Sequence, residues 1–294
     1  MHGLMRAVGL KYISTKRALE EVLEEAIETA TEQKLVSVSS EGENIVEFRK
    51  YLGENIGITV HGYYNEDNEF VREYYFPFID GGNSKEKFEI TLNRHIGKTS
   101  FAGICEDARV GVSLIFYLQN GVDFINYLLD EKHSVIRAPL SLVGLAGSGT
   151  ILLPVNKSAK QIHKSKIASK NRMNLISAAK QGDESAIENL TIEDLDLYSQ
   201  ISKRIRKEDV FTIVDNTFMP YGVECDHYMI IGDILDIKEI RNEFSGEKIY
   251  YLSLDCNDIE MKVAINDEDL MGEPMVGRRF KGSVWLQGIV NFGQ

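Results

Sequence analysis

Residues 56–79 read IGITVHGYYNEDNEFVREYYFPFI, and this stretch sets the fold class. In its first part Ile56, Ile58 and Val60 alternate with small or polar neighbours. In its second part Phe70, Arg72, Tyr74, Phe76 and Phe78 alternate with Val71, Glu73, Tyr75 and Pro77. Between them, Asn65-Glu66-Asp67-Asn68 is turn chemistry. Two runs of period two joined by a short polar turn predict a β-hairpin.

Outward from the hairpin, strands are expected at Val46–Tyr51, around Phe88, Ile90 and Leu92, and at Val110–Leu118. The last is almost continuously apolar, as a strand covered on both faces would be. A strand pair, Val135–Val143 and Thr150–Val155, is expected around a glycine-rich turn. Helices are predicted at Val122–Leu129 and, more strongly, from Lys16 to Ala30. There Leu19, Val22, Leu23, Ala26, Ile27 and Ala30 form one stripe, with Thr15 placed to cap. Its charges oppose the helix dipole, so tertiary packing must hold it. The connections are too short for parallel crossovers. Residues 1–155 therefore read as an α+β domain with a mostly antiparallel sheet.

From Asn156 to Gly182 there are seven Lys or Arg and no Asp or Glu, so residues 156–172 read as a basic linker. Residues 173–294 read as a helical segment leading into a small OB-like β-barrel or curved antiparallel sheet. In the helical part Gly182-Asp183 is a break, Thr191 with Asp194 would start a further helix, and Glu208–Val214 is a last short one. Strands are expected at Tyr228–Ile237, Ile249–Leu254, Ile259–Ile265 and Arg279–Val290, with a tight turn at Asp255–Asp258.

A net charge of −12 argues against a protein whose main task is coating nucleic acid, because such binding rests on Lys and Arg displacing counterions. No run approaches the ~18 apolar residues of a membrane helix, and the N-terminal stretch has no signal-peptide pattern. Cys105, Cys225 and Cys256 are few and far apart, which fits free thiols in a reducing cytoplasm. Gly144–Thr150 has phosphate-loop glycine spacing but Thr150 where the lysine belongs, so it reads as a turn. The six histidines show no metal-site spacing, and no metal or cofactor is expected.

Two constellations remain. If the strands from 56 to 118 form a simple meander, one edge carries His61, Arg72, Arg94, His95, Glu106, Asp107 and Arg109. Histidines beside carboxylates and arginines can do acid–base work, though loop ends are also polar without a task. On the last strand Arg279, Lys281, Ser283, Trp285 and Gln287 share one face. Exposed, that face would suit single-stranded nucleic acid; buried, it is packing with ion pairs to Glu268, Asp269 or Glu273.

Five segments together resemble a bacterial, Firmicute family described only as a domain of unknown function: MHGLMRAVGL, GENIGITVHGYYNEDNEFVREYYFPF, GVSLIFYLQNGV, the helical GDESAIENLTIEDLDLYSQISKRIRKEDVFTIVDNTFMPYGVECD and DLMGEPMVGRRFKGSVWLQGIV. The resemblance implies a bacterial cytoplasmic protein and brings no established activity. The expected function is a non-enzymatic binding or regulatory protein with a protein or small-molecule partner. The alternatives are a hydrolase-like or metal-dependent enzyme at the His95, Glu106, Asp107 edge, and a weak single-strand binder at the C-terminal barrel.

Overall fold

The structure, a computed structural model, describes residues 3–293 except 14, 39–42, 83, 96–98, 108–111, 132–133, 156–166, 169–170, 173, 180 and 207–215. Arg109, most of the basic segment and the stretch Glu208–Val214 thus lie outside the described residues.

The fold is mixed α+β. A 3-10 helix, Gly3–Val8, precedes α1 (Lys16–Glu28). Then β1 (Glu32–Val38), β2 (Glu43–Gly53), β3 (Ile56–Tyr64) and β4 (Phe70–Ile79) form an antiparallel four-stranded sheet in chain order. The expected hairpin is β3–β4, with Ile56 opposite Ile79 and Val60 opposite Tyr75. Asn65 builds its turn. Its carbonyl accepts from the Asn68 N–H, and its side chain accepts from the Glu69 N–H. Asn68 itself takes φ +60°, a conformation asparagine tolerates. Thr15 caps α1 by accepting from the Ala18 N–H. The helix buries Leu19, Val22, Leu23 and Ala26 against β2 and β3, which offsets its unfavourable charge order.

The larger sheet begins with β5 (Lys87–Arg94), β6 (Phe101–Asp107) and β7 (Val112–Leu118), followed by α2 (Gly121–Glu131) and β8 (Val135–Leu152). After α3 (Glu184–Arg204) come β9 (Thr217–Pro220), β10 (His227–Arg241), β11 (Lys248–Cys256), β12 (Ile259–Asn266), β13 (Leu270–Met271) and β14 (Arg279–Val290). The pairings close into two rings that share β8 and β14. One runs β8, β5, β6, β7, β14; the other runs β8, β12, β11, β10, β14. The β7–β14 and β12–β8 pairs are parallel, and every other pair in the two rings is antiparallel. These pairings establish a mixed sheet curving onto itself; they do not assign the OB fold. The tight turn between β11 and β12 is present, with Asn257 and Asp258 both at φ near +60°.

Three readings are corrected. The glycine-rich run Gly144–Gly149 is no turn, because β8 passes straight through it for 18 residues. Its glycines make room for large neighbours: a Cβ on Gly149 would meet the Phe280 ring at 2.4 Å. Thr191 does not start a new helix. Its hydroxyl donates to the Ile187 carbonyl, and α3 continues through it. The segment after Leu152 is not a border between sheets. Strand β8 pairs with β14 from Leu140–Val290 to Leu152–Arg279, so residues on both sides of 156–172 build one sheet.

Candidate functional site

The register of the small sheet brings a set of polar residues onto one face. Glu47 lies opposite His61, and His61 opposite Tyr74; Arg49 lies opposite Thr59, and Thr59 opposite Phe76. Directly paired residues share a face, so these side chains form one surface. It is covered by the end of β7 and by β14. Phe76 packs edge-on to Tyr117, and Gln119 donates to the Ile79 carbonyl while Gln287 donates to that of Pro77. The result is a polar seam closed between two sheets. Glu47 is 2% exposed, His61 1% and Arg49 8%.

His61 is held from two sides. Its ring stacks on Tyr74 at 4.7 Å and 12°. Its Nδ1 lies 3.2 Å from the Thr99 hydroxyl, which donates to Glu73. Since that hydroxyl spends its only proton on the carboxylate, it accepts from His61. The chain Glu73–Thr99–His61 therefore fixes a proton on Nδ1. His61 and Thr99 together hold the Glu73 carboxyl below its ordinary value. The far nitrogen, Nε2, is buried and has no hydrogen-bond partner among the described residues.

Arg49 has a matching deficiency. Its guanidinium lies 3.8 Å over the Phe78 ring, and Nη2 donates to Gln119 Oε1 at 3.3 Å. Gln119 cannot turn away, because its nitrogen donates to Ile79 and to Gln287 Oε1. Among the described residues the buried Nε of Arg49 has no partner, and no carboxylate lies within ion-pair distance of the guanidinium. Burial pushes the Glu47 carboxyl upward, opposed by His61 when its ring is protonated and by Lys34 and Arg49. The hydroxyls of Tyr74 and Tyr117 are raised by burial too, and Tyr74 donates to the Thr99 carbonyl. Each unsatisfied buried group costs about 1–3 kcal/mol. Two in one seam is a large share of a typical stability of ~5–15 kcal/mol.

At one end the seam nears Trp285, which packs on Tyr117 and donates from Nε1 to Asp226 at 2.7 Å. Burial pushes the Asp226 carboxyl up, but bonds from His227 and Trp285 hold it below its ordinary value. His95 stacks near Tyr117 and bonds to the Ser100 hydroxyl, beside Thr99.

The expected edge is thus only half assembled. His61 and His95 both converge on the 99–100 segment. Glu106 and Asp107 stand at the opposite end of β6, opposite Ser113 and Val112. At ~3.3 Å per residue that end is roughly 20 Å away. Arg72 pairs with Glu20, and Arg94 lies within electrostatic reach of Glu73. On β14 the buried alternative holds for three of the five residues. Arg279 and Trp285 are 4% exposed, Gln287 is fully buried, and Arg279 donates to the Leu153 carbonyl. Asp269 pairs with Arg6 and Lys11. Lys281 lines an open groove with Ser148, Thr150 and Ser283. The sequence reading missed Glu47, Arg49, Thr99, Tyr117 and Gln119. The one available signal was Val46-Glu47-Phe48-Arg49, where charges alternate with apolar residues in a strand given no exposed role. Among the described residues no cluster of three or more His, Cys, Asp or Glu is placed to hold a metal ion.

The sequence profile of a family described as "Domain of unknown function, E. rectale Gene description (DUF3881)" matches residues 5–288. The chain belongs to that family. No curated protein and no solved structure gives a match.

Proposed function

We propose that this member of the DUF3881 family is a binding protein for a small polar molecule, held in the seam between its two sheets. The observation that carries this reading is His61, whose Nδ1 is fixed by Thr99 and Glu73 while its buried Nε2 has no partner among the described residues. A side chain oriented so fully and left open at one atom suits recognition. An enzyme at the His95, Glu106, Asp107 edge has little support, because the strand separates those residues. A strand-binding β14 face has little either, because Trp285 and Gln287 are interior. Three cysteines with no disulfide among them favour a reducing, cytoplasmic setting. An OB-like character of the β8, β10, β11, β12, β14 ring belongs to this proposal as well. A protein partner is the second reading, favoured by α3, which leaves Leu195 and Tyr198 exposed.

The test is a thermal-shift screen of small polar metabolites on the full chain. A true occupant raises the melting temperature of the wild type and of Lys281→Ala alike. It loses its effect in Thr99→Val, where His61 is no longer fixed. Hits indifferent to Thr99→Val would move the site elsewhere.

A further inference from the structure

The seam presents two unmet needs of opposite kind. Arg49 offers a buried positive charge whose Nε–H has no acceptor and whose guanidinium has no carboxylate within ion-pair distance among the described residues. A buried unpaired charge is among the most costly features a fold can hold, and arginine is matched best by a carboxylate. His61 is the reverse. With a proton fixed on Nδ1, Nε2 in the neutral tautomer is a bare lone pair, which calls for a hydrogen-bond donor. The two residues are diagonal neighbours across the β2–β3 pair, since His61 lies opposite Glu47 and Arg49 is two residues on. Such positions are about 7–8 Å apart on one face, within reach of a single small molecule.

The geometry points to a small hydroxycarboxylate as the occupant, its carboxylate on Arg49 and its hydroxyl donating to His61 Nε2. This rests on the small-ligand reading above and names the chemistry of that ligand. The other groups agree with an anion bound there. Glu47, opposite His61 on that face, is pushed toward its neutral form by burial, which weakens its competition with a bound anion. Gln119 is locked with its oxygen toward Arg49, so the cation is steadied by a neutral acceptor. Phe78 lies against one face of the guanidinium and shields it from water. A lone carboxylate such as acetate meets only one of the two needs. A neutral hydroxyamide can donate to His61 and accept from Arg49 but brings no negative charge to the guanidinium.

Calorimetric titration of the full chain with glycolate, L-lactate and D-lactate tests this, with acetate and glycolamide as controls at equal ionic strength. Glycolate or one lactate should bind up to about tenfold more tightly than either control, as expected for losing the hydroxyl's hydrogen bond in acetate or the charge in glycolamide. Arg49→Lys keeps the charge but removes Nε, and should weaken binding to a similar degree with folding preserved. Should that variant fail to fold, imidazole ¹⁵N shifts of the wild type decide. Glycolate must move the His61 Nε2 resonance, and acetate must not. Equal binding of acetate or glycolamide overturns the hydroxycarboxylate but leaves the seam a binding site. No binding by any of these, with ordered waters on Arg49 Nε and His61 Nε2 in a crystal structure, overturns both readings.

Discussion

Glu47 shows what the seam costs and how that cost depends on pH. Burial raises its folded-state ionisation above the ordinary carboxylate value. Between those two values the folded chain holds a proton that the unfolded chain has lost. Stability from this group is therefore full below the ordinary carboxylate range and declines as pH rises through the folded value. Glu73 acts oppositely, since His61 and Thr99 depress it and its contribution is lost as pH falls. Comparing Glu47→Gln with the wild type isolates the first effect. The variant should match the wild type near pH ~4 and gain on it toward pH ~8, by about 1.4 kcal/mol for each unit of upward shift. Melting curves across that range check the sign, and a difference independent of pH would mean Glu47 ionises freely. The sequence made His61 legible as a candidate because the expected meander placed it toward one edge beside other polar residues. It concealed Glu47 and Arg49, because their partner surface comes from β7 and β14, 70 and 168 residues away in the bonds that Gln119 makes to Arg49 and Gln287.

At the scale of elements, local pattern was a good guide where local forces decide. The β3–β4 hairpin, α1 with its Thr15 cap, and β14 from Arg279 to Val290 stand where periodicity and capping put them. It failed at β8, where glycines signal a turn by their freedom but are used for close packing. A Cβ at Gly149 would lie 2.4 Å from the Phe280 ring and 2.9 Å from Ile265. Gly149→Ala should therefore destabilise by about 1–3 kcal/mol through overpacking, despite alanine's better fit to an ordinary strand. Adding Phe280→Leu should recover part of that loss, because it removes the clashing ring edge. A double-mutant cycle in urea measures the coupling, and strict additivity would show that Gly149 is needed for backbone freedom instead.

At the scale of the molecule, the charge break at 156–172 suggested two parts, and the sheet joins them. Twelve register pairs link β8 to β14 across that segment, and composition cannot reveal pairing between strands so distant in sequence. A specific protease site placed in the exposed turn at Gly182-Asp183 supplies the test. After cleavage the fragments should elute together at the position of the intact chain and separate only in denaturant. Two independent peaks under native conditions would restore a two-body description. The place of β14 matters also before the protein is complete. A ribosome delivers β7, β8 and β10 well ahead of the strand that lies between them. Until it emerges, each keeps a row of amide and carbonyl groups without a neighbour, the kind of edge that recruits foreign strands. The nascent chain thus has a vulnerable interval that ends only when β14 emerges. Prematurely terminated products never leave that interval, which marks them for chaperones, proteases or aggregation.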